Sequence, residues 1–242
     1  MKIKVIRLLL VVFTSLMFFS CSKDDSDDNI NSDDNISYSG TVTDVDGNVY
    51  NTITIGTQIW MVENLRTTHY NDGTEIPNVI YQEDWSSLST GAYCNYDNAE
   101  SYASVYGRLY NWYSVNTGKL APEGWHVPTD DDFTEFVLYC GGSDVAASKL
   151  RETGTEHWGN DAERITNKSG FSARGAGYRR GGTVFGAGIF DLIKVRTYFW
   201  TTTEFESVYS WYFVSSRIDI FRGEETDKKQ GYSVRCIKDK NN

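Results

Sequence analysis

The chain has 242 residues, with 23 Lys and Arg against 33 Asp and Glu, a net charge of −10. Such acidity repels phosphate backbones and excludes nucleic acid as a partner. Seven Trp and 16 Tyr against three Pro supply ample aromatic surface for a core, with some left over for recognition.

At the N-terminus, Lys2, Lys4 and Arg7 precede an apolar stretch from Leu8 to Phe19, the charged and hydrophobic regions of a secretory signal. The stretch is too short for a stable membrane span. It ends "LMFFSC", and the small Ser20 before Cys21 resembles the lipobox of a bacterial lipoprotein. The resemblance implies a signal peptide over residues 1–20 and a lipid on Cys21 that anchors the mature chain to the membrane. Residues 21–40 hold one Lys and six Asp, a net charge of −5, with no hydrophobic periodicity. They cannot repay the entropy of ordering and read as a disordered acidic tether. An acidic run directly after a lipid-bearing cysteine resembles the export signal of Bacteroidetes-type surface lipoproteins, which implies an outer-membrane, cell-surface location. Without the three basic signal residues the charge falls from −10 to −13.

Residues 41–242 suit one domain. Its first part reads as a β-meander: Asp46-Gly47 lies between extended runs, Val49, Ile53 and Ile55 alternate, and Gly56 turns the chain into Ile59 to Val62. "DVDGN" is read as the hairpin turn, because a calcium loop needs its glycine at the sixth place and a glutamate at the twelfth. Arg66 to Asn98 is rich in turn residues and predicts an irregular excursion. Tyr102, Tyr106, Leu109, Tyr110 and Tyr113 recur at helical spacing, ending at Gly118, although Gly107 weakens the start.

"GWHVPTDDDFTEF", residues 124–136, offers an imidazole and a carboxylate cluster. Pro128 drives the preceding residues to extended backbone. Thr129 then stands as N-cap, Asp130 to Asp132 occupy the first turn where the helix dipole favours negative charge, and Asp132 completes a capping box. Phe133, Phe136, Val137 and Cys140 form the buried face. The aspartates are therefore helix-start residues and His126 a structural histidine. Gly141-Gly142 ends this helix and Ser143 caps a second through Ala146, Ala147 and Leu150. Further on, "SGFSARGAGYRRGGTVFGAGIF", "TYFWTTTEFE", "SWYFVSSRI" and "GYSVRCIK" predict short antiparallel strands, with "RGAGYRRGG" as tight turns between them.

With Cys21 lipidated, Cys94, Cys140 and Cys236 remain, and an odd number outside the cytoplasm predicts one bridge plus a free thiol. No cysteine pair or histidine spacing fits a metal or cofactor site, and His69, His126 and His157 show no nucleophile partner in sequence. Glu152, Glu156 and Glu204 have no spacing that pairs them for hydrolysis, so the chain is not expected to be an enzyme.

Several phrases in one order, among them "DVDGNVYNTITIGTQIWMVENL", "YGRLYNWYSV", "LAPEGWHVPTDDDFTEF", "TNKSGFSARGAGYR", "FWTTTE" and "GYSVRCIK", resemble the Fibrobacter succinogenes major paralogous domain. The likeness covers Val42 to Lys238. It implies an α+β, C-type lectin-like fold akin to sulfatase-modifying domains: two helices packed on twisted antiparallel sheet, with long loops from Glu152 to Trp211. The calcium-binding Trp-Asn-Asp strand of sugar-binding lectins is missing from this sequence, as is the late cysteine pair of the formylglycine-generating enzymes. The family pattern implies a Cys94–Cys236 bridge, whereas many lectin-like domains imply Cys140–Cys236. The functional expectation is a surface-displayed, non-catalytic binding or adhesion module for a glycan or protein, with Trp158, Arg179, Trp200 and Trp211 as candidate contacts. The alternative is an accessory subunit of a fimbria-like assembly, and a carboxylate-based hydrolase is the weaker third.

Overall fold

The N-terminal meander forms as its alternation dictates. In the computed structural model, which describes residues 38–160, 164–182, 186, 188–205 and 207–240, β1 (Gly40–Thr43) pairs antiparallel with β2 (Val49–Ile55), and β2 with β3 (Gln58–Met61). The Asp44 carboxylate closes the first turn by accepting from the backbone N–H of Asp46 at 3.0 Å and of Asn48 at 2.9 Å. Cys21, the signal segment and nearly all of the acidic tether lie outside the described residues.

The irregular excursion carries α1 (Gln82–Ser87) and β4 (Tyr93–Cys94). The single helix expected from Tyr102 onward is instead split into α2 (Glu100–Tyr106), β5 (Leu109–Tyr110) and α3 (Trp112–Val115). Gly107 is the cause. It sits at φ 77, and a Cβ there would stand 2.6 Å from the Cβ of Asn64 and 2.9 Å from the Leu65 carbonyl oxygen. Only glycine fits that backbone so close to its neighbour.

β6 (Trp125–His126) leads into α4 (Asp130–Tyr139), whose capping box is complete: the Thr129 hydroxyl accepts from the Asp132 N–H at 3.1 Å, and the Asp132 carboxylate accepts from the Thr129 N–H at 2.9 Å. The face of Phe133, Phe136, Val137 and Cys140 is buried as the spacing predicts. α5 (Ala146–Leu150) follows, but Val145 holds the N-cap position with no side-chain cap, so Ser143 does not start it.

The expected long-loop region is irregular from Glu152 to Gly175 among the described residues, and strands begin at Ala176. β7 (Ala176–Arg179), β8 (Phe190–Ile193), β9 (Arg196–Phe205), β10 (Ser207–Val214) and β11 (Ile220–Thr226) make a five-stranded sheet of order β11-β10-β9-β7-β8, antiparallel except where Gly177 meets Thr197 in parallel. "RGAGYRRGG" is thus strand β7 plus its exit rather than turns alone. The last strand, β12 (Ile237–Lys238), inserts between β3 and β6, giving a first sheet of order β1-β2-β3-β12-β6. The architecture is a mixed, sheet-dominated α and β domain with few helices.

The main core lies where α4 meets both sheets. Trp60 packs against Phe133 and Phe136 at ring separations of 5.2 and 4.7 Å, and Phe171, Phe199, Trp211 and Phe213 complete the cluster. Burying each such ring stabilises by roughly 2–3 kcal/mol.

Candidate functional site

The four residues expected to contact a ligand belong to the interior. Trp158 is fully buried, donates Nε1–H to the Ala173 carbonyl at 2.9 Å and carries the Arg151 guanidinium over its ring at 4.2 Å. Trp200, equally buried, donates to the Tyr110 carbonyl at 2.7 Å, and Trp211 donates to the Asp130 carboxylate at 3.0 Å. Arg179, 1% exposed, lies between Trp85 and Phe190 and donates to the carbonyls of Gly188, Val79 and Ile80 at 2.6–2.9 Å. None offers a face to solvent. Each satisfies a polar atom inside the fold, which is how buried Trp and Arg are normally accommodated.

The cysteine expectation is corrected too. Cys94, Cys140 and Cys236 are free thiols, buried in three different hydrophobic clusters. They act as small apolar residues. Burial pushes the Cys94 thiol up to about 12, even beside the Arg179 guanidinium, and the Cys140 thiol up to about 11.

Each histidine meets a carboxylate that sequence spacing could not assign. His69 Nδ1 lies 2.6 Å from Asp46, and His126 bridges Asp239 at 2.6 Å and Asp132 at 3.3 Å. The Asp132 hydrogen bond raises the His126 pKa against its burial, with Asp239 adding to the rise. Burial alone would raise the Asp132 carboxyl, but hydrogen bonds from His126 and Thr129 hold it down at about 2. His126 therefore clamps the start of α4 to the C-terminal segment, in keeping with its structural reading. His157 Nδ1 lies 2.5 Å from Glu152, and its other nitrogen stands 3.8 Å from Glu156. Glu204 pairs with Lys228.

Glu152 leads to the feature the sequence did not reveal. A cleft of about 240 Å³ is lined by Tyr38, Val62, Glu63, Asn64, Val105, Glu152, Asn167, Ser172, Arg174 and Arg235. One Glu152 oxygen receives His157 and the other receives Arg174 Nε at 2.8 Å. Both Glu63 oxygens are taken by Asn51, through its backbone N–H and its side-chain amide, each at 2.8 Å. At the floor, Arg235 is 1% exposed and donates Nε–H and Nη2–H to the Asn64 side-chain oxygen at 3.0 and 2.6 Å, and Nη1–H to the Phe171 carbonyl. Its guanidinium lies 4.1 Å over the Phe171 ring. Among the described residues no carboxylate stands within ion-pair distance of it. Desolvation lowers the Arg235 pKa to about 9, partly offset by the more distant Glu63 and Glu152 and reinforced by Arg174. Asn167 and Ser172 occupy left-handed backbone, φ 47 and 53, and their side chains hydrogen-bond each other at 2.8 Å. Non-glycine residues held there are strained, and such strain clusters at ligand clamps.

The fold and cleft define a mixed, sheet-dominated domain with a polar-walled cleft beside Arg174 and Arg235. The chain belongs to the Fibrobacter succinogenes major domain family, whose model matches residues 53–238, from within β2 to the end of β12. No curated protein and no solved structure matches it.

Proposed function

We propose that this protein is a lipid-anchored, cell-surface binding module that holds a glycan or protein ligand without transforming it, on a C-type lectin-like variant of the mixed fold. The cleft around Arg174 and Arg235 carries the reading. Its carboxylates already have partners, while its floor is a buried cation whose acceptors are all neutral, an arrangement suited to holding a polar ligand. The basic signal, Cys21 and the acidic tether supply the reasons for lipidation and display, and the resemblance of the sequence phrases to the Fibrobacter succinogenes major paralogous domain, which implies a lectin-like fold, supplies the fold variant. What supports a role without chemistry is that both Glu152 oxygens already have partners, His157 and Arg174.

Two measurements test the proposal. Protease shaving of intact cells should remove the domain, and metabolic labelling should place lipid on Cys21 and lose it in Cys21→Ala. A deletion strain should lose adhesion to a glycan- or protein-coated surface and regain it on complementation. Unchanged adhesion in the deletion strain, together with a silent glycan array, would end the binding-module reading.

A further inference from the structure

A buried guanidinium costs several kcal/mol of solvation unless a counter-charge offsets it, and Arg235 has only an amide oxygen and a carbonyl. Arginine remains protonated at neutral pH, so the charge stays. Above it, Arg174 spends Nε on Glu152 and Nη1 on the Val105 carbonyl at 3.0 Å, and its Nη2 has no protein partner among the described residues. Two guanidinium groups thus line one small cleft, with the amide of Asn167 and the hydroxyl of Ser172 on the wall and the half-exposed Tyr38 at the edge. Arginine forks match planar carboxylates. Glu63 and Glu152 also line the cleft, and they would repel a dianion more strongly than a monoanion. The volume, about 240 Å³, lies below the range of pockets that take drug-sized ligands, which favours one ring-sized unit over an extended chain.

We propose that the cleft binds the carboxylate of an acidic sugar, a hexuronic or nonulosonic acid unit, between Arg174 and Arg235, with Asn167 and Ser172 taking its hydroxyls. This rests on the binding-module reading and narrows its ligand class.

The test is calorimetric titration and thermal shift of the purified full-length protein with sodium glucuronate, N-acetylneuraminate, glucose and sulfate, each up to millimolar concentration. At least one of the two acids should bind and raise the unfolding midpoint, while glucose and sulfate do neither. Arg174→Gln, at a side chain about one-third exposed, should keep the wild-type circular dichroism spectrum and weaken the acid by about tenfold or more. Arg174→Lys should fall between them, because it keeps the charge and loses the fork. Arg235→Lys is a second variant, read only if it folds. Binding of glucose as tight as that of the acids, binding of sulfate in their place, no heat from either acid, or full acid affinity in Arg174→Gln would each overturn the proposal. Cell adhesion distinguishes the two readings: if Arg174→Gln cells adhere as wild type while deletion cells do not, the binding module stands and its acidic-sugar cleft falls.

Discussion

The three adjacent aspartates at the start of α4 should differ sharply when each is replaced by alanine. Asp131 is exposed and has only the helix dipole to act on, so Asp131→Ala should cost about 0.5 kcal/mol. Asp132→Ala removes half of the capping box and the His126 contact, for about 1–2 kcal/mol. Asp130 is 7% exposed and accepts from Trp211 Nε1 at 3.0 Å and from Arg222 Nε and Nη2 at 2.8 and 2.7 Å. Asp130→Ala leaves a buried indole N–H without an acceptor and a guanidinium without its ion pair. Because Arg222 is itself partly exposed, the loss should be about 3 kcal/mol, at the low end of the range for a fully buried pair. For a domain of this size that corresponds to a fall of about 6–12 °C in Tm. Differential scanning calorimetry of the three variants at neutral pH reads the order directly. If Asp131→Ala falls as far as Asp130→Ala, the assignment of separate tasks is wrong.

Stability should also depend on His126 in a definite direction. Its pKa is raised in the folded state, so its contribution is fully present below about 6.5 and is lost as pH rises through the folded value. Asp132 acts oppositely, contributing above about 3.8 and losing that contribution as pH falls toward 2. Denaturant midpoints should therefore decline above neutrality in wild type and decline less in His126→Gln; parallel profiles would refute the clamp. Mass spectrometry under non-reducing conditions should find Cys94, Cys140 and Cys236 unbridged, and a thiol reagent should label them within minutes only after denaturation. A bridged peptide would contradict their placement in separate clusters. Arg151→Met removes donors to the carbonyls of Val214, Ser215 and Arg217 and should cost about 2–4 kcal/mol by chemical denaturation. A variant as stable as wild type would show these bonds to be dispensable.

What could be read from the sequence was local. The α4 start was legible because Thr129, Asp132 and the Phe133–Phe136–Val137 spacing act within one or two turns. The meander was legible because Asp46-Gly47 and Gly56 sit between alternating runs. The break at Gly107 was only half legible: the glycine is visible, but its necessity comes from Asn64 and Leu65, more than 40 residues earlier. The same holds for the tryptophans, since no local pattern says that Trp200 will meet the Tyr110 carbonyl 90 positions away. The cleft was least legible, because its floor joins Arg235 to Asn64 across 171 positions. "VRCIK" reads as a strand, and β12 does form at Ile237–Lys238, but nothing in the phrase shows Arg235 turned inward toward another segment.

Three arginines, Arg151, Arg179 and Arg235, are 1% exposed, and each lies over an aromatic ring, Trp158, Trp85 or Phe171, at 4.1–4.6 Å. A lysine could not serve, because only the planar guanidinium both stacks on a ring and spreads several donors across separate acceptors. Arg151 and Arg179 give their donors mainly to backbone carbonyls, of residues 214–217 and of Val79, Ile80 and Gly188. Each therefore ties segments that have little regular structure of their own, and the charge-assisted bonds offset part of the cost of burial. Arg235 differs in two respects. Two of its donors converge on one side-chain oxygen of Asn64, and its site opens to a cleft. An amide oxygen shared between two donors satisfies each less fully than separate carbonyls would, so Arg235 keeps positive potential to offer a ligand. The same device that fastens the loops elsewhere leaves, at Arg235, a cation with only neutral acceptors beside an open cleft.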